Sequence, residues 1–291
     1  MKDRLCVFII SHGRPDNVIT LKTLHRAGYS GTFFIVCDNE DKTIEQYRQT
    51  FGEDRVLMFD KPSYAKLVDN CDNFQNRRTT THARNACFDL AQELGYEYFL
   101  VLDDDYTDFR FCFDRKSQFV RQKAKNLTVA FDVISKLLDA DERINSVCIL
   151  QTGDLMGGGS NGSLNNGHYP FRKRKAMNSF FCKTSRRFWF FSRLNEDVNT
   201  YLSLGSKGGL FLTIPDMYLQ QAATQKSKGG MSEAYLASGT YVKSFYSVMI
   251  CPSFAKVADL KCMGRIHHQI NWGNAVPKII DECHRKPDKH G

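Results

Sequence analysis

An apolar run, Tyr98-Phe-Leu-Val-Leu102, stops at three consecutive carboxylates, Asp103, Asp104 and Asp105. A run of that length, rich in aromatic and branched side chains, reads as a strand buried on both faces. The carboxyl end of such a strand is where open α/β sheets place their ligands. Three adjacent acids repel one another, so a positive partner is expected there, and hard oxygen ligands favour Mg2+ or Mn2+. Alternate residues of an extended chain point the same way. Asp103 and Asp105 can therefore share one ion while Asp104 faces elsewhere. The competing reading is an acidic turn that caps a helix.

The residues before this stretch form a β-α-β-α-β series. Leu5 to Ile10 reads as a buried strand ending in the turn Ser11-His12-Gly13-Arg14-Pro15. A helix follows, with Val18, Leu21, Leu24 and Gly28 along one face. Thr32 to Cys37 is a second strand, halted by Asp38-Asn39-Glu40-Asp41, and a helix over 42–51 leads to a strand from Arg55 to Phe59. Strands alternating with helices imply an α/β fold with a mostly parallel sheet and right-handed crossovers. Pro62 to Thr81 reads as a polar connection. Thr81 to Leu94 is a helix, because Ala83, Ala86, Cys87, Leu90, Ala91 and Leu94 make a core-facing stripe. Arg84 and Asn85 fall in its first turn, off the stripe, where a cation and an amide at a positive helix end suit an anion.

Beyond the acids, strands are expected over 109–113 and 146–150, with a helix over 128–138 between them. Residues 153–168 are glycine-rich and read as a lid-like loop. Phe188-Trp-Phe-Phe191 suits a core strand or, with the neighbouring cations, a stacking surface for nucleic acid. Leu194-Asn-Glu196-Asp197-Val198 follows, with the two acids fitting either a catalytic pair or a helix start. A strand from Leu210 ends at Pro215, a flexible loop spans 220–231, a helix begins near Ser232, and a strand runs from Tyr246 to Cys251.

Charge divides the chain. Residues 1–150 hold 21 Lys+Arg and 23 Asp+Glu, a net of −2, whereas residues 151–291 hold 19 and 9, a net of +10. An anionic polymer is the natural partner of the second part. No apolar run approaches the ~20 residues that span a bilayer. Met1-Lys2-Asp3-Arg4 leads straight into a strand without a signal-peptide pattern, so a cytoplasmic, non-membrane protein is expected. The 10 cysteines are scattered without a CxxC pair, which suits buried thiols.

Several of these features together resemble glycosyltransferases of the GT-A fold. They are the opening strand with its polar turn, the strand ending in Asp38, the Ala83-Arg84-Asn85 helix start, and Leu102 followed by Asp103, Asp104 and Asp105. Asn195-Glu196-Asp197 resembles that fold's acidic acceptor motif, and His267-His268 its carboxy-terminal metal histidine. Within the fold, the basic second half and the ending His267-His-Gln-Ile-Asn-Trp-Gly273 look most like the TET/JBP-associated glycosyltransferases, which include phage DNA-modifying enzymes and the base J glucosyltransferase.

The resemblance implies a single GT-A unit over 1–291, with a nucleotide-sugar half (1–110) and a basic acceptor half (111–291). It implies a metal-dependent, inverting transfer from a UDP-sugar, such as UDP-glucose or UDP-N-acetylglucosamine, to a 5-hydroxymethylcytosine or 5-hydroxymethyluracil in DNA. Asp103 and Asp105, with His267 or His268, would hold Mn2+ or Mg2+. Ser11, Arg14, Asp38, Asn85 and Asp104 would join Asp103 around the nucleotide, and Arg84 would steady the diphosphate. Asp197, rather than Glu196, would deprotonate the acceptor, and a monomer is expected. Two rival readings are a GT-A enzyme acting on protein or polysaccharide and a nucleotidyltransferase. A third is a non-catalytic nucleic-acid-binding module. Neutralising Arg172, Lys173, Arg174 and Lys175 together is expected to weaken DNA binding and flatten its salt dependence, leaving nucleotide-sugar affinity intact. Identical titrations of parent and variant at two salt concentrations would remove this patch from the DNA surface.

Overall fold

The computed structural model describes residues 4–113, 119–151, 179–221, 232–260 and 265–275. The glycine-rich stretch 153–168, the Arg172–Lys175 cluster and the basic tail lie outside these residues. Strands β1 (Leu5–Ile10), β2 (Thr32–Asp38), β3 (Val56–Phe59) and β4 (Tyr98–Asp103) form a parallel block in the order β3-β2-β1-β4. The sheet continues through β8 (Ser179–Lys183), β7 (Ile144–Gln151), β9 (Leu210–Gln221), β5 (Tyr106–Phe113) and β6 (Phe119–Lys123), making nine strands. Only β8 and β5 run against the common direction, so seven of these nine strands point one way and the sheet is mostly parallel. Residue 110 lies inside β5, on the far side of the sheet from β1.

Strand alternation splits the core into two layers. Val7, Ile9, Leu100 and Leu102 face α1 (Ile19–Arg26) and α5 (Leu127–Ala140), packing on Leu24, Phe131 and Leu138. Cys6, Phe8, Phe99 and Val101 face α4 (Thr81–Glu93) and α6 (Glu196–Ser206), packing on Ala86, Cys87, Ala91, Val198 and Leu202. Each large apolar side chain so buried contributes roughly 1.5–3 kcal/mol. The periodicity of the sequence therefore reappears as two covered faces.

Four local expectations change. A short helix, α3 (Lys61–Leu67), occupies part of the stretch read as a polar connection, with Pro62 in its first turn, where a missing N–H costs nothing. Strand β9 runs past Pro215 to Gln221; its register against β7 jumps from Ile214 to Tyr218, so the proline sits where the ladder is interrupted. Residues 246–250 continue the helix α7 (Ser232–Ile250) instead of forming a strand: Tyr246 faces inward while Phe245 and Met249 face solvent. Phe188–Phe191 is not a strand either. Phe188 and Phe190 are buried and Trp189 is 40% exposed, an alternation maintained by an irregular segment. A separate antiparallel ribbon, β10 (Ala255–Leu260) with β11 (Arg265–Ile270), carries His267 and His268 and packs against α7.

Among the described residues no helix is long and apolar enough to cross a membrane. The described cysteines are free, and all but Cys71 are buried.

Candidate active site

The three aspartates sit at the end of β4, and the turn they form is clamped from below by Thr20 in α1. Thr20 Oγ1 donates to the Asp103 carbonyl at 2.6 Å and accepts the Tyr106 N–H at 2.9 Å, and Thr20 N–H donates to the Asp104 carbonyl at 3.0 Å. Thr20 drew no notice as sequence, because nothing about a threonine inside an amphipathic helix marks it as a clamp.

The side chains diverge as strand alternation requires. Asp104 is buried and turns toward the β1 loop, where Arg14 Nη2 donates at 2.6 Å and Ser11 Oγ at 2.5 Å. Arg14 N–H donates to Tyr47 OH, which passes its own hydrogen to Ser11 Oγ, so the loop is wired to Asp104 through a chain of donors. Ser11, Arg14 and Asp104 were expected around the nucleotide. These contacts make them the scaffold of the β1 loop. Burial pushes Asp104 up to about 6 despite Arg14 and Ser11.

Asp103 and Asp105 are partly exposed on the other side. Asp103 Oδ1 accepts from Arg84 Nη2 at 3.0 Å. Asp105 accepts from Gln221 Nε2, at 3.0 and 3.2 Å to its two oxygens. Burial pushes Asp103 up to about 7; Arg84 opposes this, and Asp105, Glu196 and Asp104 add to it. Asp105 is raised by burial as well. This corner of the protein holds more negative charge than its own cations balance.

Arg84 departs furthest from expectation. It is 1% exposed, lodged between Asp103 and Glu196, whose Oε1 accepts its Nε–H at 3.1 Å. Its guanidinium carbon lies 5.1 Å from the Phe180 ring and 5.8 Å from that of Phe190, an aromatic floor that favours a cation. The structure thus commits Arg84 to joining the two acidic motifs, in place of the first-turn anion site. Asn85 is likewise committed: its Nδ2 donates to the Phe190 carbonyl at 2.8 Å and its Oδ1 accepts the Phe190 N–H at 2.9 Å. That pairing imitates a strand partner and replaces its expected nucleotide contact.

Glu196 and Asp197 open α6. Glu196 is consumed by Arg84 and by Thr80 Oγ1. Asp197 is buried; its Oδ1 accepts the Val198 N–H at 2.8 Å, and no salt bridge engages it among the described residues. Burial and the adjacent Glu196 charge raise its carboxyl above the ordinary value.

Asp38 sits at the end of β2. His12 Nδ1 lies 2.8 Å and Lys61 Nζ 3.3 Å from its Oδ2. Burial opposes its charge, but the His12 hydrogen bond and the Lys61 ammonium outweigh this and hold the carboxyl below its usual value. His12 is raised in return by the same hydrogen bond. Beside this cluster lies a cleft of ≈ 470 Å³ lined by His12, Glu40, Lys61 and residues 75–78. Lys61 lies 23 residues after Asp38 and comes beside it because β3 pairs with β2, Asp38 opposite Phe59.

The histidines of the carboxy-terminal motif do not join the aspartates. Within the ribbon, His268 Nδ1 lies 3.2 Å from Asn195 Nδ2, and His267 Nδ1 donates to the His268 carbonyl at 2.7 Å. Among the described residues no group of three or more His, Cys, Asp or Glu gathers to hold a metal. The donor chemistry nevertheless fits a hard divalent ion: Asp103 and Asp105 are partly open carboxylates at the end of β4, both with raised proton affinity. Mg2+ in particular is commonly held by one or two carboxylates plus substrate phosphates, without an all-protein cage.

A parallel nucleotide-type block, an aspartate turn at its switch strand and an acidic pair tied to that turn define a nucleotide-sugar-dependent glycosyltransferase. The chain belongs to the TET-associated glycosyltransferase family, whose model matches residues 5–230. Solved structures similar to it include glucosyl-3-phosphoglycerate synthase from Mycobacterium tuberculosis, in complex with Mg2+ and UDP. That match has 9% identity and a TM-score of 0.47, over 91% of this chain and 87% of the other. The mannosyltransferase PcManGT from Pyrobaculum calidifontis, in complex with GDP-Man and Mn2+, is similar at 11% identity and a TM-score of 0.45, over 87% and 76%. No curated protein sequence matches the chain significantly.

Arg84→Met is expected to destabilise the fold by ~3–5 kcal/mol, since it leaves buried Glu196 and partly buried Asp103 without their shared cation. Urea unfolding measures this. Adding Glu196→Gln should recover part of the loss. A cost below ~1 kcal/mol would put the bridge in the class of solvent-screened surface pairs.

Proposed function

We propose that this enzyme moves a sugar from a UDP-sugar to the hydroxyl of a 5-hydroxymethylpyrimidine in DNA, with inversion at the anomeric carbon. The observation that carries the mechanism is the division of labour between adjacent acids. Glu196 is spent on Arg84, while Asp197 stands beside it with raised proton affinity and no salt bridge among the described residues.

In this reading the cleft beside Asp38, His12 and Lys61 takes the uridine part of the donor. The diphosphate then lies across the face presented by Asp103 and Asp105. These two carboxylates would hold Mn2+ or Mg2+, which when bound offsets the negative charge that grows on the departing diphosphate. Arg84 contributes indirectly, by fixing the donor-side acids relative to the acceptor-side acids. Asp197 takes the proton from the acceptor hydroxyl. The freed oxygen bonds to the anomeric carbon as the bond from that carbon to the diphosphate breaks on the opposite face.

The acceptor is supported by charge and by family. Residues 151–291 carry a net +10, suited to a polyanion, and the family description is TET-associated. A base that undergoes chemistry is drawn from the stack or met in a single strand, and its primary hydroxyl is the kind of group a carboxylate can activate.

Two variants test the chemistry by nucleoside mass spectrometry of hydroxymethylated DNA incubated with a panel of nucleotide sugars and Mn2+. Asp105→Ala should abolish transfer and weaken nucleotide binding; full activity of that variant in chelator would end the metal assignment. Asp197→Asn should keep fold and nucleotide binding but lose ~10² to 10⁴ in rate, the usual worth of a general base. If the loss falls on Glu196→Gln alone, the base moves by one residue. Sugar appearing on protein or polysaccharide but never on DNA would replace the acceptor.

A further inference from the structure

Asn195 precedes the acidic pair in a left-handed conformation, φ 56° and ψ 35°. Such a backbone is unfavourable for a residue that carries a side chain, although asparagine tolerates it better than most. Its side chain does not perform the usual task at a helix start, since it makes no capping bond to α6. It reaches away instead. Nδ2 lies 2.8 Å from the Lys243 carbonyl, 3.3 Å from Ser247 Oγ and 3.2 Å from His268 Nδ1. A backbone carbonyl only accepts, so the amide nitrogen must face Lys243. Since that nitrogen only donates, His268 receives on Nδ1 and carries its proton on Nε2. One buried amide therefore staples the α6 start to both α7 and β11.

The geometry downstream depends on that staple. Adjacent residues on a helix point about 100° apart, so the direction of the first turn decides which acid meets Arg84 and which is left over. With Asn195 held left-handed, Glu196 reaches Arg84 and Asp197 does not. The Asn195 carbonyl also accepts the Asn199 N–H at 2.8 Å, so the constrained residue is already part of the α6 ladder.

We propose that Asn195 is a positioning residue for Asp197, held by Lys243, Ser247 and His268, and that His268 serves as its acceptor instead of as a metal ligand. This rests on Asp197 being the base. The test compares Asn195→Ala, Asn195→Gly, His268→Ala and His268→Gln with Asp197→Asn as the reference. kcat for transfer, KM for the nucleotide sugar and the unfolding midpoint are measured for each.

Glycine adopts positive φ freely, so Asn195→Gly folds even where alanine is strained, and it isolates the loss of the amide. The expected result is a kcat lowered roughly 10- to 100-fold in Asn195→Gly and His268→Ala, the scale of a small misplacement of a reacting group, with KM within about twofold. Glutamine offers an amide oxygen to Asn195, so His268→Gln should return most of the rate without supplying an imidazole ligand. Wild-type kcat in Asn195→Gly and His268→Ala alongside a dead Asp197→Asn would overturn the positioning role and leave the base assignment standing. A raised KM at unchanged kcat would overturn it too. An active Asp197→Asn would remove the base assignment, and the inference with it.

Discussion

Everything at the reaction centre hangs on one buried cation. Arg84 joins two parts of the structure that are far apart in sequence: Asp103 closes β4 and Glu196 opens α6. Taking a guanidinium and two carboxylates out of water is expensive, and such a cluster is sustained only when its geometry and further hydrogen bonds are good. Here Thr80 adds a bond to Glu196, and Phe180 and Phe190 offer their ring faces to the guanidinium. Phe190 is in turn fastened through its backbone by Asn85, the residue next to Arg84. The pair Arg84-Asn85 thus builds both the bridge and the floor beneath it.

Charge balance is uneven across the site, and the unevenness follows function. At the β2 end, Asp38 is surrounded by His12 and Lys61 and is held below its ordinary value. At the β4 end, Asp103 and Asp104 are pushed up to about 7 and about 6, since burial and mutual repulsion outweigh Arg84 and Arg14. A neutral base and ribose need a satisfied surface, whereas a cation travelling with a diphosphate is drawn to an unsatisfied one. The β2 end of the parallel block thus carries a balanced cluster and the β4 end an unbalanced one.

Much of this was legible as sequence wherever periodicity or a run of like charge carried it. The strand before Asp103, the α4 stripe, the break at Asp38 and the acidic helix start all appear where their residues place them. What stayed hidden depends on folding back. Lys61 meets Asp38 only because β3 pairs with β2 so that Phe59 lies opposite Asp38, and Thr20 meets the aspartate turn only because α1 lies beneath it. Apolar alternation misled at 246–250, where inward Tyr246 and outward Phe245 suit a helix as well as a strand. The protein partners of Arg84 and Asn85 stayed hidden for a similar reason. A helix N-terminus invites an anion, but here the anions are carboxylates of the same chain.

Two neighbouring carboxylates at one helix start would ordinarily share their fate, both drawn to the positive end of α6. This chain separates them by giving one a partner. Glu196 is neutralised by Arg84, so it cannot act as a free base, but its charge remains next to Asp197 and, with burial, raises that residue's affinity for a proton. This separation needs a rigid backbone, since a rotation of one residue would exchange the partners of Glu196 and Asp197. The rigidity comes from outside α6, from the strap of Asp69 and Asn70 on Ser192 and Arg193 and from the three acceptors of Asn195. The same logic accounts for Arg193, whose Nε donates to Asp72 at 2.6 Å and whose Nη2 donates to Tyr246 OH at 2.7 Å. That contact ties the strap to α7.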